Sequence, residues 1–245
     1  MSGRKEEQMY SFDSRVRYSE TGPQGRITPV AILDYFQDCS SFQSEELGIG
    51  VAYLKEHHLA WVLVSWQIEI ARYPALGEVI TAATWPYDFK GFYGYRNFAM
   101  TDSAGVRTAC GNSSWVLLDT ENGRPVRLPQ IMVDRYVMEP ALPMEQGPRK
   151  MKLPEGMEAR EPFVVQRFHL DTNQHVNNGK YILMAQEYLP EGFGIGCIRA
   201  EYKKSAVYGD TIYPSVKAEE QRVTVSLADE SQAVYTIIEL EKMHD

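Results

Sequence analysis

Asp171, Asn173 and His175 place a carboxylate, a neutral amide and an imidazole at alternate positions of one short segment. It reads His169-Leu170-Asp171-Thr172-Asn173-Gln174-His175-Val176-Asn177-Asn178-Gly179-Lys180-Tyr181. An imidazole titrates near neutral pH, a carboxylate orients or accepts a proton, and an amide both donates and accepts hydrogen bonds. Such a set supplies a potential base, a neutral dipole and a group that can exchange a proton near neutral pH. The alternating spacing fits an extended chain that turns into a helix. The first N–H groups of a helix lack intrahelical partners and can receive an anion, which makes Val176 and Asn177 the expected oxyanion donors. Each residue also has an ordinary structural alternative. Asp171 can cap the turn, Asn173 and Asn177 suit turns and caps, and His175 can bond to backbone.

The elements that must position this segment occur twice. In the first half a short strand at 15–18 precedes a turn-rich stretch at 19–25. A helix over 27–47 follows, with Ile32, Leu33, Tyr35 and Phe36 on one face. Pro29 stands near its start, and Gly48 and Gly50 near its end. A further helical piece over 51–57 leads into four runs rich in Val, Ile, Thr, Trp and Tyr at 59–72, 78–87, 92–101 and 106–119. The second half repeats the plan: strand 163–170, helix 176–189, then strands 197–204, 211–219, 222–227 and 233–240. Gly77-Glu78 matches Gly209-Asp210, each just before a strand. Between the halves, residues 125–162 are rich in proline, which predicts a linker with a short helix inside. A sheet wrapped around one helix satisfies each half, because the helix buries one sheet face. Two such sheets could join edge to edge. The expected division is 1–128, a linker at 129–162, and 163–245.

Composition narrows the partners. The 245 residues are 44% hydrophobic with a formal net charge of −8. Residues 1–130 carry 12 basic and 15 acidic side chains, and the remainder 13 and 18. Neither half is basic, which argues against nucleic acid. Cys39, Cys110 and Cys197 are odd in number, far apart and without metal-ligand spacing, which predicts buried thiols in a reducing compartment. No apolar run is long enough to span a membrane, and residues 1–8 lack the apolar core of a signal peptide. A cytoplasmic protein without metal or organic cofactor is the expectation.

The tandem plan, together with Asp171, Asn173, His175, Val176, Asn177, Asn178 and Tyr181 in the pattern Asp-x-Asn-x-His-Val-Asn-Asn-x-x-Tyr, resembles the acyl-ACP thioesterases. Glu187 also fits. The resemblance extends over about residues 10–240 and implies an α+β double hotdog fold, in which two helix-wrapped antiparallel sheets form one extended sheet. It implies hydrolysis of fatty acyl thioesters carried on acyl carrier protein, in fatty acid biosynthesis, by a monomer or homodimer. It assigns catalysis to Asp171, Asn173 and His175. It also makes the first half the acyl-chain pocket, with Phe36, Trp61, Trp66, Trp85, Phe89, Phe92 and Tyr95 as candidate lining. An acidic carrier would favour a basic dock built from Arg15, Arg17, Arg72, Lys90, Arg96, Lys203 and Lys204.

The chain departs from the family in two places. The family pattern Tyr-x-Lys-Glu-x-x-Tyr-Gly-Asp, with a cysteine after the glutamate in plant members, here reads Tyr202-Lys203-Lys204-Ser205-Ala206-Val207-Tyr208-Gly209-Asp210. Ser205 replaces the glutamate and becomes a candidate polar site residue, and a thiol nucleophile at Ala206 is ruled out. In the first half, Thr21 stands near the Asp171 position and Gly25 near that of His175, so no acid–imidazole pair survives. Alternative functions are acyl-CoA hydrolysis, a 3-hydroxyacyl dehydratase or hydratase of the same fold, and a non-catalytic acyl-binding module favoured by Ser205. The clustering of acid, amide and imidazole on one turn argues against the dehydratase.

Overall fold

The structure is a computed structural model that describes residues 9–145, 147 and 150–243. Residues 1–8, Pro148 of the expected linker and His244 lie outside the described residues. The chain divides into two units, Met1–Leu63 with Arg72–Glu145, and Val64–Ala71 with Gln146–Asp245. The division falls differently from the expected 1–128, 129–162 and 163–245. Residues 129–145 pack into the first unit: Met132 and Tyr136 join Ile49 and Leu117 in a buried cluster. Met151 in turn donates its N–H to Glu201 Oε2 at 2.8 Å within the second unit.

In the first unit, Thr28 caps helix α1 (Pro29–Glu46) by accepting the Ala31 N–H. Pro29, which has no N–H to leave unpaired, opens the helix. Gly48 at φ 66 supplies the left-handed residue that follows its end. A short helix α2 (Val51–Glu56) comes next. Strands β1 (Tyr10–Arg15), β3 (Val79–Lys90), β4 (Tyr93–Asp102), β5 (Arg107–Asp119) and the first part of β2 (Leu59–Ile70) lie in the order β1-β3-β4-β5-β2. Ile32, Leu33, Phe36 and Cys39 of α1 are fully buried, and Phe36 stacks on Phe98 of β4 with centroids 5.2 Å apart. Burying such a side chain is worth about 1.5–3 kcal/mol, so the helix face holds the sheet around it. The short helix expected between the halves is α3 (Gln130–Val133).

In the second unit the order is β2-β8-β11-β10-β9-β6, for β8 (Ile195–Tyr202), β9 (Thr211–Ala218), β10 (Arg222–Ala228), β11 (Val234–Lys242) and β6 (Glu158–Ala159). Strand β7 (Phe163–Val164) pairs with β9. Helix α4 (Asn178–Gln186) buries Tyr181, Ile182, Met184 and Ala185. The pairs β1–β3, β3–β4, β4–β5, β2–β8, β8–β11, β10–β11, β9–β10, β6–β9 and β7–β9 are antiparallel.

Two expected strands are corrected. The first lies earlier, at β1, and residues 18–20 form a 3-10 turn. The 163–170 strand shrinks to β7 and gives way to a 3-10 turn at 167–169. The internal repeat reaches fine detail: a register shift falls between Met100 and Thr101 in β4, and its counterpart between Leu227 and Ala228 in β10. Among the described residues no helix is long and apolar enough to cross a membrane.

Candidate active site

The Asp171–His175 turn is closed by its own backbone. Asp171 N–H donates to His175 O at 2.8 Å and Gln174 N–H to Asp171 O at 3.1 Å. Gln174 takes φ 62, a left-handed conformation that costs a residue with a side chain about 1–2 kcal/mol. Asp171 offsets this strain. Its Oδ1 accepts the N–H groups of Asn173 at 2.7 Å and His175 at 3.2 Å. The turn is fastened to the segment after β8. His175 bridges Val207, and Val176 N–H donates to Ala206 O at 2.9 Å. Ala206 N–H donates to Tyr181 Oη at 2.8 Å, and Val207 N–H to Asp210 Oδ2 at 3.0 Å. Burial pushes the Tyr181 phenol up to about 12, so it stays neutral. Tyr181 therefore both fills the core and clamps the site loop.

The turn brings Asp171, Asn173 and His175 together but does not join carboxylate to imidazole. Asp171 is half-buried, while Asn173 and His175 are exposed, and the side chains of these two bond to no other described residue. The expectation for Val176 and Asn177 is corrected. Their N–H groups are spent, on Ala206 O and on His169 O, both at 2.9 Å. The physical reason is that Asn177 is the cap and not a helical residue, with its Oδ1 accepting the Gly179 N–H at 2.8 Å. The unspent N–H at this helix end is that of Asn178, first residue of α4. Ser205 is exposed at the exit of β8, with Ala206 beside it buried. Tyr181 and Asn178 are the residues that spacing undervalued. The Asn-Asn pair before the apolar face was the one signal that could have separated cap from donor.

His169 Nδ1 accepts the Gln166 N–H at 3.0 Å, so the ring proton resides on Nε2. Burial, and secondarily the Lys180 charge, hold the His169 imidazole below its ordinary pKa. Burial pushes the Cys39 and Cys197 thiols up to about 12, which leaves neither as a thiolate. Among the described residues no three His, Cys, Asp or Glu side chains gather as a metal site. The expected basic dock is largely neutralised. Arg17 pairs with Glu20, Arg72 with Glu78 and Asp102, Lys90 with Asp88, Lys203 with Glu201, and Lys204 with Asp229. Arg96 is buried, bonded to Gln43 and Thr84. The candidate acyl lining also divides. Phe36 and Trp85 are core, Phe92 is exposed, and Trp66 falls within Val64–Ala71 of the second unit.

The first unit contains the same loop. Gly22 N–H donates to Arg26 O, Gly25 N–H to Gly22 O, Ile27 N–H to Pro74 O and Thr28 N–H to Glu20 O, all at 2.8–2.9 Å. Gly25 takes φ 66, as Gln174 takes φ 62. Arg26 bridges Ala75, as His175 bridges Val207. The bonds align Gly22 with Asp171 and Arg26 with His175, one position later than Thr21 and Gly25 as read from the sequence. Pro29 aligns with Asn178.

Residues 7–136 match the family model for the acyl-ACP thioesterase N-terminal domain, and residues 154–240 that for the acyl-ACP thioesterase C-terminal domain. The chain is 28% identical over 193 residues to oleoyl-acyl carrier protein thioesterase 1, chloroplastic, from Arabidopsis thaliana, covering 72% of this chain and 53% of that protein. The chain spans about half the length of the curated relatives it matches. Its fold is that of an acyl-ACP thioesterase from Bacteroides thetaiotaomicron, with TM-score 0.89, 20% identity, and coverage of 96% and 98% of the two chains. A 12:0-ACP thioesterase from Umbellularia californica superposes with TM-score 0.85 at 18% identity, covering 96% and 97%. With both family models in register on its two repeated units, the chain belongs to the acyl-ACP thioesterase family, an α+β fold of two hotdog units.

Proposed function

We propose that the protein hydrolyses the thioester of a fatty acyl group carried on acyl carrier protein and releases the free fatty acid. The observation that carries this reading is the Asp171–Asn173–His175 turn in a chain matched by both acyl-ACP thioesterase models. His175 has an exposed imidazole that is not engaged by a described side chain, and acts as the base that takes a proton from water. The hydroxide adds to the acyl carbon, the C–S bond breaks, and the thiolate leaves and takes up a proton. Asn173 orients the water or the carbonyl. Asp171 shapes the turn through Oδ1, and its charge steadies the developing imidazolium. The Asn178 N–H, at the positive end of α4, receives the oxyanion in place of Val176 and Asn177. Ser205 adds no charge at the place where the family carries glutamate, so the chemistry rests on the turn. The first unit, lacking acid and imidazole, does not catalyse and houses the acyl chain.

The test is thiol release from matched acyl-ACPs and acyl-CoAs, with His175→Ala alongside. Release from acyl-ACP that falls by about 10²–10⁴ in the variant is expected. Release only from acyl-CoA would replace the carrier. Tight acyl binding without release from either would overturn hydrolysis and make the protein an acyl-binding module.

A further inference from the structure

Two cations beside the site loop remain unneutralised. Arg167, first residue of the 3-10 turn that leads into the loop, meets no carboxylate among the described residues. Its guanidinium instead lies 4.5 Å from the centroid of the Tyr208 ring. Tyr208 follows Val207, the residue bridged to His175. Lys180 stands in the first turn of α4, close enough to His169 for its charge to depress that imidazole, and also meets no carboxylate among the described residues. Cation and aromatic are both accessible here: Phe168 is 72% exposed and Tyr208 52%.

The repeat supplies an independent control. In the first unit the positions of Arg167 and Lys180 are held by Tyr18 and Ala31, in a loop with the same backbone bonds. The framework therefore does not need either charge. Both occur only where the acid, amide and imidazole occur. Of the cations first suspected of forming a dock, Arg17, Arg72, Lys90, Lys203 and Lys204 are tied to carboxylates and Arg96 is buried, while Arg15 is exposed on β1 of the first unit. An exposed arginine seated over an aromatic ring keeps N–H groups for a ligand, and a lysine at the positive end of a helix adds to the field an anion meets there.

We propose that Arg167 and Lys180 form a phosphate-binding pair that holds the phosphorylated pantetheine arm of the acyl carrier beside the Asp171–His175 turn. Phe168 and Tyr208 give the aliphatic part of the arm an apolar rest. The proposal rests on the thioesterase reading and adds to it a recognition element for the phosphate shared by acyl-ACP and acyl-CoA. The phosphate is a dianion or diester anion remote from the reacting carbon, so the pair acts on binding and not on the chemical step.

The experiment compares acyl-ACP, acyl-CoA and the N-acetylcysteamine thioester of the same chain length, the last lacking phosphate. Wild type is set beside Arg167→Gln, Lys180→Gln and the double variant, with thermal unfolding as a check on folding. A charge-assisted contact at an exposed site predicts a rise in KM of about 3–10-fold per residue for the phosphate-bearing substrates. Their advantage in kcat/KM over the N-acetylcysteamine thioester shrinks accordingly, and salt dampens the wild-type advantage. A loss confined to acyl-ACP or to acyl-CoA identifies the source of the phosphate. Equal losses on all three substrates, or an undiminished advantage in the double variant, overturn the proposal. If wild type cleaves none of the three, the thioesterase reading fails by itself. Calorimetric binding of pantetheine 4′-phosphate against pantetheine, in wild type and double variant, then still decides the phosphate site: a preference lost in the variant supports it, and no preference in wild type sinks it.

Discussion

The loop at 20–28 and the loop at 169–177 are the same backbone carrying different side chains. Both place a residue in the left-handed region, Gly25 and Gln174, and both are pinned to the segment before β3 or β9 by a bridge and an N–H to a carbonyl. Even the brace behind them recurs. Glu78 accepts the Ala75 N–H at 2.9 Å, and Asp210 the Val207 N–H at 3.0 Å. The first loop reaches this shape with two glycines. The second reaches it with Gln174 under strain and with Asp171 bonding two N–H groups. The difference shows that the shape does not require acid, amide or imidazole. Their presence in one copy is a chemical choice laid over a common frame. The helix starts differ in the same sense, because Pro29 has no N–H to offer where Asn178 has one.

The comparison is broken most severely by His175→Arg, which gives the second loop the residue of the first at Arg26. Thiol release is expected to fall by about 10²–10⁴ while thermal unfolding stays close to wild type. Activity within tenfold of wild type would remove the imidazole from the mechanism.

A finer separation comes from Asp171. Asp171→Asn keeps an oxygen for the Asn173 and His175 N–H groups, whereas Asp171→Gly copies Gly22 and removes it. If the charge matters to catalysis, the Asn variant loses about tenfold or more in kcat without a change in stability. The Gly variant additionally loses about 0.5–2 kcal/mol, as a missing cap would. Equal kcat for wild type and the Asn variant would reduce Asp171 to a cap.

The smallest effect concerns the residue that opens each 3-10 turn's cap. Glu20 accepts the Arg17 N–H in the first unit, and His169 accepts the Gln166 N–H in the second. Protonation removes the Nδ1 acceptor, and the folded state already holds this imidazole below its ordinary value. Its contribution is therefore full above the ordinary value of about 6.5 and is lost as pH falls below it, through the lower pKa of the folded state. Amide exchange at Gln166, corrected for intrinsic rate, should rise as pH is lowered below about 6.5. His169→Glu should abolish that rise, and its persistence in the variant would assign the pH effect to another group.

Much of this was written in the residue pattern. Alternating apolar runs placed the strands within a few residues, and Pro29, Gly48 and the apolar face of Ile32, Leu33 and Phe36 marked α1. The acid, amide and imidazole stood out by chemistry alone. What the pattern concealed was set by hydrogen bonds that residue types do not encode. Which N–H groups remain available at α4 depended on Asn177 being the cap, and two asparagines in succession read alike. The alignment of the two loops slipped by one because their shared anchor is a left-handed position, occupied by Gly25 in one and by Gln174 in the other. The basic dock failed because every strand-end cation with a carboxylate neighbour, such as Arg72 beside Glu78 and Asp102, found it on folding. Within the proline-rich stretch, Met132, Tyr136 and Met151 are buried, a packing that proline content does not encode.

The loop at 20–28 is, in engineering language, an empty socket. Its geometry is maintained by main-chain bonds that no catalytic side chain supports, so Gly22→Asp, Gln24→Asn, Arg26→His and Pro29→Asn would load it with the inventory of its twin. A duplicated loop of this kind keeps the frame without the chemistry, and new chemistry can be drawn from it.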